Sequence, residues 1–260
     1  MLKLIASDLD GTLLQNGSQT LPEGICEQIK RLKEKGILFV AASGRQYANL
    51  RRLFAPVQDD IAYICENGCL VFYKGKRIHK EYMDRETGQQ ILKDILQKDG
   101  NELVLSGEDT SYLQPKEELF RCLIQDIVKN NVTVTEDILK TEEDYFKISV
   151  FAPEGAEKIY PFWKEKYGEK VTVVTSGNEW LDMMPLHVNK GTAMDALLKT
   201  LEIKPEECMA FGDNYNDIEM LQMTGESYAM KNGKEAVKAV CKYQADTVGK
   251  VLEEVLKNLR

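Results

Sequence analysis

Histidine is nearly absent from this chain: His79 and His187 are the only two in 260 residues. A histidine-built zinc site or a serine–histidine–aspartate triad is hard to assemble from so few, which sets two large hydrolase classes aside. Closely paired cysteines are missing too. Cys26, Cys65, Cys69, Cys122, Cys208 and Cys241 show no C-x-x-C spacing, so they read as reduced thiols, mostly in the core, of a cytoplasmic protein. Nor is there an excess of positive charge. A net charge of −8 and a pI of about 5.1 argue against a surface that grips nucleic acid. A small anionic ligand is still compatible with that charge, because a local site can oppose the net field. No apolar run approaches membrane-spanning length, and Asp8 and Asp10 interrupt the N-terminal run too early for a signal peptide. A soluble protein without a membrane partner is therefore expected.

What is present is a rhythm. Hydrophobic residues make up 43% of the chain, enough for a substantial core. "LKLIAS" and "ILFVAAS" are buried-strand candidates, separated by "LPEGICEQIKRLKEKG", where Ile25, Ile29 and Leu32 recur at helical spacing between Pro22 and Gly36. "RQYANLRRLF" then reads as helix and "IAYIC" as a third strand, the βαβαβ alternation of a doubly wound parallel sheet. From Cys69 to Tyr82 the chain alternates and turns at Lys74-Gly75, as a hairpin does. A more polar stretch of differently ordered helices and short strands follows. The strand–helix alternation returns at "KGTAMDALLKTLEI" and continues through "CMAFGD", "NDIEMLQMT" and "SYAM" to two final helical segments. The expected fold is α/β, a doubly wound parallel-sheet core of roughly residues 1–83 and 186–260, with an inserted α+β domain over roughly 84–185.

Acids collect where the strands end. Asp8 and Asp10 follow the first strand, and in an extended chain residues two apart project to one side. Open α/β sheets bind ligands at that end. "VAASGR" places Ser43 and the Gly44 amide before a helix, where a hydroxyl and backbone N–H groups can hold a phosphate. "NKGTAM" puts Lys190 at a helix start, misplaced against the macrodipole unless an anion sits there too. "FGDNYND" packs Asp213, Asn214, Asn216 and Asp217 after a strand, an oxygen-rich set suited to Mg²⁺. Each alone also reads as an ordinary turn, cap or surface residue. Four in this order on four strand or helix ends do not.

"DLDGTL", "SGR", "NKG" and "GDNYND", with "ENG" at Glu66 to Gly68, resemble in this order the motifs of the haloacid dehalogenase-like superfamily, in its Cof-like subgroup of sugar-phosphate-type phosphatases with a C2-type cap. The resemblance spans almost the whole chain. It implies that Asp8 is the nucleophile and Asp10 the general acid and base. Ser43 and Lys190 would bind the transferring phosphoryl group, with Leu9, Thr12, Gly44 and Asn216 completing the phosphate-binding set. Asp8, the backbone carbonyl of Asp10, and Asp213 would hold Mg²⁺, with Asp217 in support. Arg45, Asn67, Glu179, Trp180 and Asp182 are candidates for substrate contact, and Trp180 and Tyr112 read equally well as packing residues. The implied activity is Mg²⁺-dependent hydrolysis of a small phosphorylated metabolite through an aspartyl-phosphate. Two alternatives use similar residues: a phosphomutase of the same superfamily, and a phospho-aspartate signalling switch. Two departures from the family pattern stand out, Leu186-His187 ahead of the third motif and "ADTVGKVLEEV" without the common Asp-Gly.

Overall fold

The computed structural model describes residues 1–259. The chain first lays down β1 (Leu4–Ser7), α1 (Ile25–Glu34), β2 (Leu38–Ala42), α2 (Tyr47–Leu53), β3 (Ala62–Cys65) and the hairpin β4 (Leu70–Tyr73) and β5 (Lys76–Lys80). The middle stretch forms α3 (Arg85–Leu96), β6 (Glu102–Gly107), β7 (Ser111–Leu113) and α4 (Glu118–Cys122). It continues through a π-helical turn at Leu123–Ile127 into β8 (Val132–Val134), β9 (Tyr145–Phe151), α5 (Ala156–Tyr167), β10 (Val171–Thr175) and β11 (Trp180–Pro185). The last stretch holds α6 (Lys190–Leu201), β12 (Cys208–Gly212), α7 (Ile218–Met223), β13 (Glu226–Met230), α8 (Glu235–Val240), β14 (Tyr243–Ala245) and α9 (Val248–Asn258). These elements form two compact units, one of Met1–Lys80 with the chain from Asn189 onward, the other of Glu81–Val188.

The first unit is built on an eight-stranded sheet of order β14-β13-β12-β1-β2-β3-β4-β5. It is parallel from β14 to β3, and β4 and β5 add antiparallel at one edge. The strands β1 and β3 are buried along their whole length. That is the state that continuous apolar runs reach when helices cover both faces of a sheet. One face packs Leu4, Ala6, Val40, Ala42 and Ile64 against Ala193, Met194 and Leu197 of α6. On α1 the buried residues are Ile25, Ile29 and Leu32, the stripe that its spacing predicts. The winding runs from β1 through β2 to β3 in one direction and from β12 through β13 to β14 in the other. The sheet therefore reverses its order between β1 and β12, and a crevice opens at the carboxyl ends of strands at such a point.

The second unit has a six-stranded sheet, β10-β11-β9-β6-β7-β8, antiparallel except where β7 meets β8. Ile91, Leu92 and Ile95 of α3 and Trp163 and Tyr167 of α5 bury one face of it against Leu103, Leu105, Ile148, Val150, Leu181 and Met183. Among the described residues no helix is long and apolar enough to cross a membrane.

Candidate active site

The strand β1 stops at Ser7, one residue before the first acid. The chain turns at Leu9, and Asp10 lies in an isolated bridge with Leu14. The rule that residues two apart share a direction belongs to extended chain, so it does not carry across this turn. The two acids have different surroundings. Asp8 is 5% exposed, whereas the Asp10 side chain is 48% exposed.

Asp8 shares its surroundings with residues from far along the chain. Lys190, the first residue of α6, is fully buried, and its Nζ donates to Asp8 Oδ1 and to Asp217 Oδ1, each at 2.6 Å. The anions that make a cation tolerable at a helix start are thus present. Asp217 is fully enclosed as well, and its Oδ2 accepts the backbone N–H groups of Asp213 (3.0 Å) and Asn214 (3.1 Å). Both Asp217 oxygens are therefore committed. Asp213 accepts a hydrogen bond from Thr12 Oγ1 at 2.8 Å. Its carboxylate sits so close to Gly11 that a Cβ there would lie 2.3 Å from Asp213 Oδ2, at a backbone φ of 91°. Only glycine fits that position. Carboxylate oxygens of Asp8, Asp213 and Asp217 lie within 4.8 Å of one another, and with Asp217 committed it is Asp8 and Asp213 that have an oxygen to offer. This all-oxygen donor set fits a hard divalent cation such as Mg²⁺.

Asp10 is held by a different partner. Arg45 Nε donates to Asp10 Oδ2 at 2.8 Å and Arg45 Nη2 to Asp10 Oδ1 at 2.6 Å, the bidentate fork that guanidinium makes with carboxylate. Arg45 is steadied in turn by Gln19 Oε1 (2.9 Å) and Asn49 Oδ1 (3.3 Å). Ser43 is buried, and its Oγ accepts the Arg45 backbone N–H at 3.2 Å. The helix α2 begins at Tyr47, so Ser43 and Gly44 belong to the preceding loop rather than to a helix N-terminus as expected. Asn216 Nδ2 donates to Asn67 Oδ1 at 2.9 Å, which gives Asn67 a partner inside the first unit. The sequence reading missed Asn232, whose Nδ2 donates to the Gly11 carbonyl at 2.9 Å and steadies the loop carrying Asp8 and Asp10. Its side chain has no local sequence signal, because the two residues meet only through the fold.

In the second unit, Trp180 packs with Phe120 and Phe151. Asp182 accepts from Ser149 Oγ at 2.5 Å and lies 3.7 Å from Lys147 Nζ. Glu179 offers its backbone carbonyl to Ala152. The Tyr112 hydroxyl donates to Glu143.

Burial pushes the Asp8 carboxyl well above the usual carboxylate range; the Asp217 charge adds to this and Lys190 opposes it. Burial and then Asp217 push Asp213 up to about 6. For Lys190, burial favours the neutral form, but the charges of Asp217 and Asp8 outweigh it and its proton is held more firmly than usual. Burial pushes the Cys208 thiol up to about 12, so it offers no competing thiolate. An acid whose pKa is higher folded than unfolded favours folding at low pH. That advantage disappears as pH rises from its unfolded value near 4 through its folded value. In chelator, urea melts should therefore show stability falling by up to a few kcal/mol between about pH 4 and pH 6.5. Carboxylates held below their usual range by hydrogen bonds, such as Asp84 from Thr87 and Glu207 from Lys3, add stability with rising pH only up to about pH 5, at the foot of that window. A flat or rising profile across it would contradict this account of the cluster.

The fold is that of a haloacid dehalogenase-like hydrolase from Bacillus subtilis, which superposes with a TM-score of 0.86 over 100% of both chains at 23% identity. The family model for haloacid dehalogenase-like hydrolases matches residues 5–251, and the chain belongs to that family. It is accordingly an enzyme of the hydrolase class. It is similar to the 5-amino-6-(5-phospho-D-ribitylamino)uracil phosphatase YbjI of Escherichia coli, at 29% identity over 99% of this chain and 97% of the relative. It is also similar to the HMP-PP phosphatase of Serratia proteamaculans, at 28% identity over 92% of this chain and 88% of the relative.

Proposed function

We propose that this enzyme is a Mg²⁺-dependent phosphatase that hydrolyses a small phosphorylated metabolite through a covalent phosphoryl group on Asp8. The observation that carries the reading is the buried set of Asp8, Lys190 and Asp217 with Asp213 beside it. A carboxylate and a phosphate monoester are both anions, so attack requires positive charge at the meeting point. Lys190 supplies one such charge at Asp8. Asp8, Asp213 and the Asp10 carbonyl are the groups that would hold Mg²⁺, which when bound would supply further positive charge at the phosphoryl oxygens. Asp217 is the supporting residue, since its oxygens anchor Lys190 and the Asp213–Asn214 backbone. Ser43, Gly44 and Asn216, with the loop at Leu9 and Thr12, take up the remaining phosphoryl oxygens. Asp8 then forms its bond to phosphorus as the ester P–O bond breaks. Asp10 gives its proton to the leaving oxygen and later takes one from a water that attacks phosphorus, as the bond between Asp8 and phosphorus breaks to free phosphate and restore the carboxylate. To carry a proton, Asp10 releases one of its two bonds to Arg45.

The substrate class follows the relatives whose names specify a phosphorylated ribitylaminouracil and HMP-PP. We assign the inserted unit as the cap that selects the leaving group, with Glu179, Trp180 and Asp182 as its candidate contacts. The test is release of nitrophenolate from p-nitrophenyl phosphate. Activity should appear with millimolar Mg²⁺ and fall by about 100-fold or more in excess EDTA, because each charge-stabilising partner lost at such a centre removes about 10²–10³ in rate. Full activity in EDTA would overturn the proposal.

A further inference from the structure

The segment Glu66-Asn67-Gly68 runs through three successive residues of positive φ. Glu66 and Asn67 are consecutive non-glycine residues in the left-handed region, with φ of 50° and 55°, and Gly68 follows at 112°. All three are buried. Such conformations persist only where the surroundings enforce them, and they concentrate at functional sites. Here the surroundings are the groups read above as phosphate holders, and the inference rests on that reading. The Asn67 N–H donates to the Ser43 carbonyl at 3.0 Å, and the Glu66 N–H donates to the Arg45 carbonyl at 3.2 Å. The Asn67 amide lies flat against Gly44, where an added Cβ would meet its Oδ1 and Nδ2 at 3.2 Å. Its Oδ1 accepts from Asn216 Nδ2 at 2.9 Å. A Cβ on Gly68 would stand 2.3 Å from the Asn189 carbonyl, directly before Lys190. One tripeptide therefore touches the loop of Ser43 and Gly44, the start of the Lys190 helix and the side chain of Asn216.

From this geometry we infer that Asn67 is a positioning residue: it orients the Asn216 amide toward a bound tetrahedral oxyanion and is not itself a substrate contact. Asparagine suits the task because it tolerates the left-handed backbone and presents a carbonyl oxygen to the Asn216 N–H. The experiment is a double-mutant cycle on the full chain, with tungstate as a non-transferable probe and its dissociation constant read by calorimetry. The variants are Asn67→Gly, Asn216→Ala and the pair. Glycine adopts the same backbone without strain, so Asn67→Gly removes the amide and spares the fold. Asn67→Gly alone should weaken tungstate binding by about three- to tenfold, the size of one lost hydrogen bond. In the Asn216→Ala background the same change should weaken it by less than about twofold, because its partner is already gone. Equal losses in both backgrounds, or unaltered binding by Asn67→Gly, would overturn the inference. Wild-type protein that binds tungstate but releases no nitrophenolate would defeat the phosphatase reading and leave the coupling measurable. Wild-type protein that binds no tungstate would defeat both.

Discussion

Asp8→Asn is expected to abolish turnover with every leaving group, a loss on the order of 10⁴-fold or more, as for other nucleophiles whose replacement ends covalent catalysis. The structure predicts that this variant stays folded. Burial disfavours the Asp8 anion, and a neutral amide of the same shape removes that penalty, while Lys190 keeps its second partner, Asp217, at 2.6 Å. Its thermal midpoint at neutral pH should therefore match or exceed the parent's, which separates lost chemistry from lost structure. Asp10→Asn should fail differently. Nitrophenolate departs with little protonation, so this variant should release a first equivalent and then stall with the phosphoryl group on Asp8. Rapid-quench kinetics with mapping of the phosphorylated peptide distinguishes the two. A burst from Asp8→Asn, or label on a serine or histidine, would refute the role given to "DLDGT".

The second large effect belongs to Lys190→Ala. Removing the ammonium leaves Asp8 and Asp217 facing each other in a buried place, and breaking such a pair from one side costs about 3–5 kcal/mol. It also withdraws a charge from the proposed transition state, worth about 3–4 kcal/mol or 10²–10³ in kcat/KM. The two losses are separable by pH. Lys190 is what restrains the upward shift of Asp8, so without it the carboxyls hold protons to higher pH. Urea melts should then show the variant's deficit growing as pH rises from acid to neutral. A deficit that stays constant across that range, with unchanged kcat/KM, would return Lys190 to the standing of an ordinary helix residue.

The core strands and α1 were legible in the sequence because each carries its own period: unbroken apolar runs for β1 to β3, and Ile25, Ile29 and Leu32 for α1. Lys190 was legible because a cation at a helix start is an anomaly that needs an explanation nearby. The three-residue strands β8 and β14 carried no such signal. Strands this short are made by their neighbours and not by their own composition. The fork between Arg45 and Asp10 was equally hidden. It depends on side-chain conformations that Gln19 and Asn49 impose from either side, and Gln19 lies in a loop without periodicity. The turn at Leu9 also separated two acids that spacing alone would have placed together.

The placement of β1 between β2 and β12 has a consequence for how the chain reaches its folded state. One neighbour of β1 is made almost at once, the other only after the whole inserted unit, with Leu4–Ser7 pairing in parallel with residues beginning at Cys208. At ordinary ribosomal rates roughly 10–30 s pass between emergence of the two neighbours. During that interval a largely apolar strand keeps one hydrogen-bonding edge bare, an edge that invites pairing with other nascent chains. The acids that follow β1 have no lysine to meet until the same moment. Synthesis halted before β12 should therefore yield a sticky, inactive fragment, and a circular permutant that begins at the third motif and brings β12 out first should be more forgiving to express.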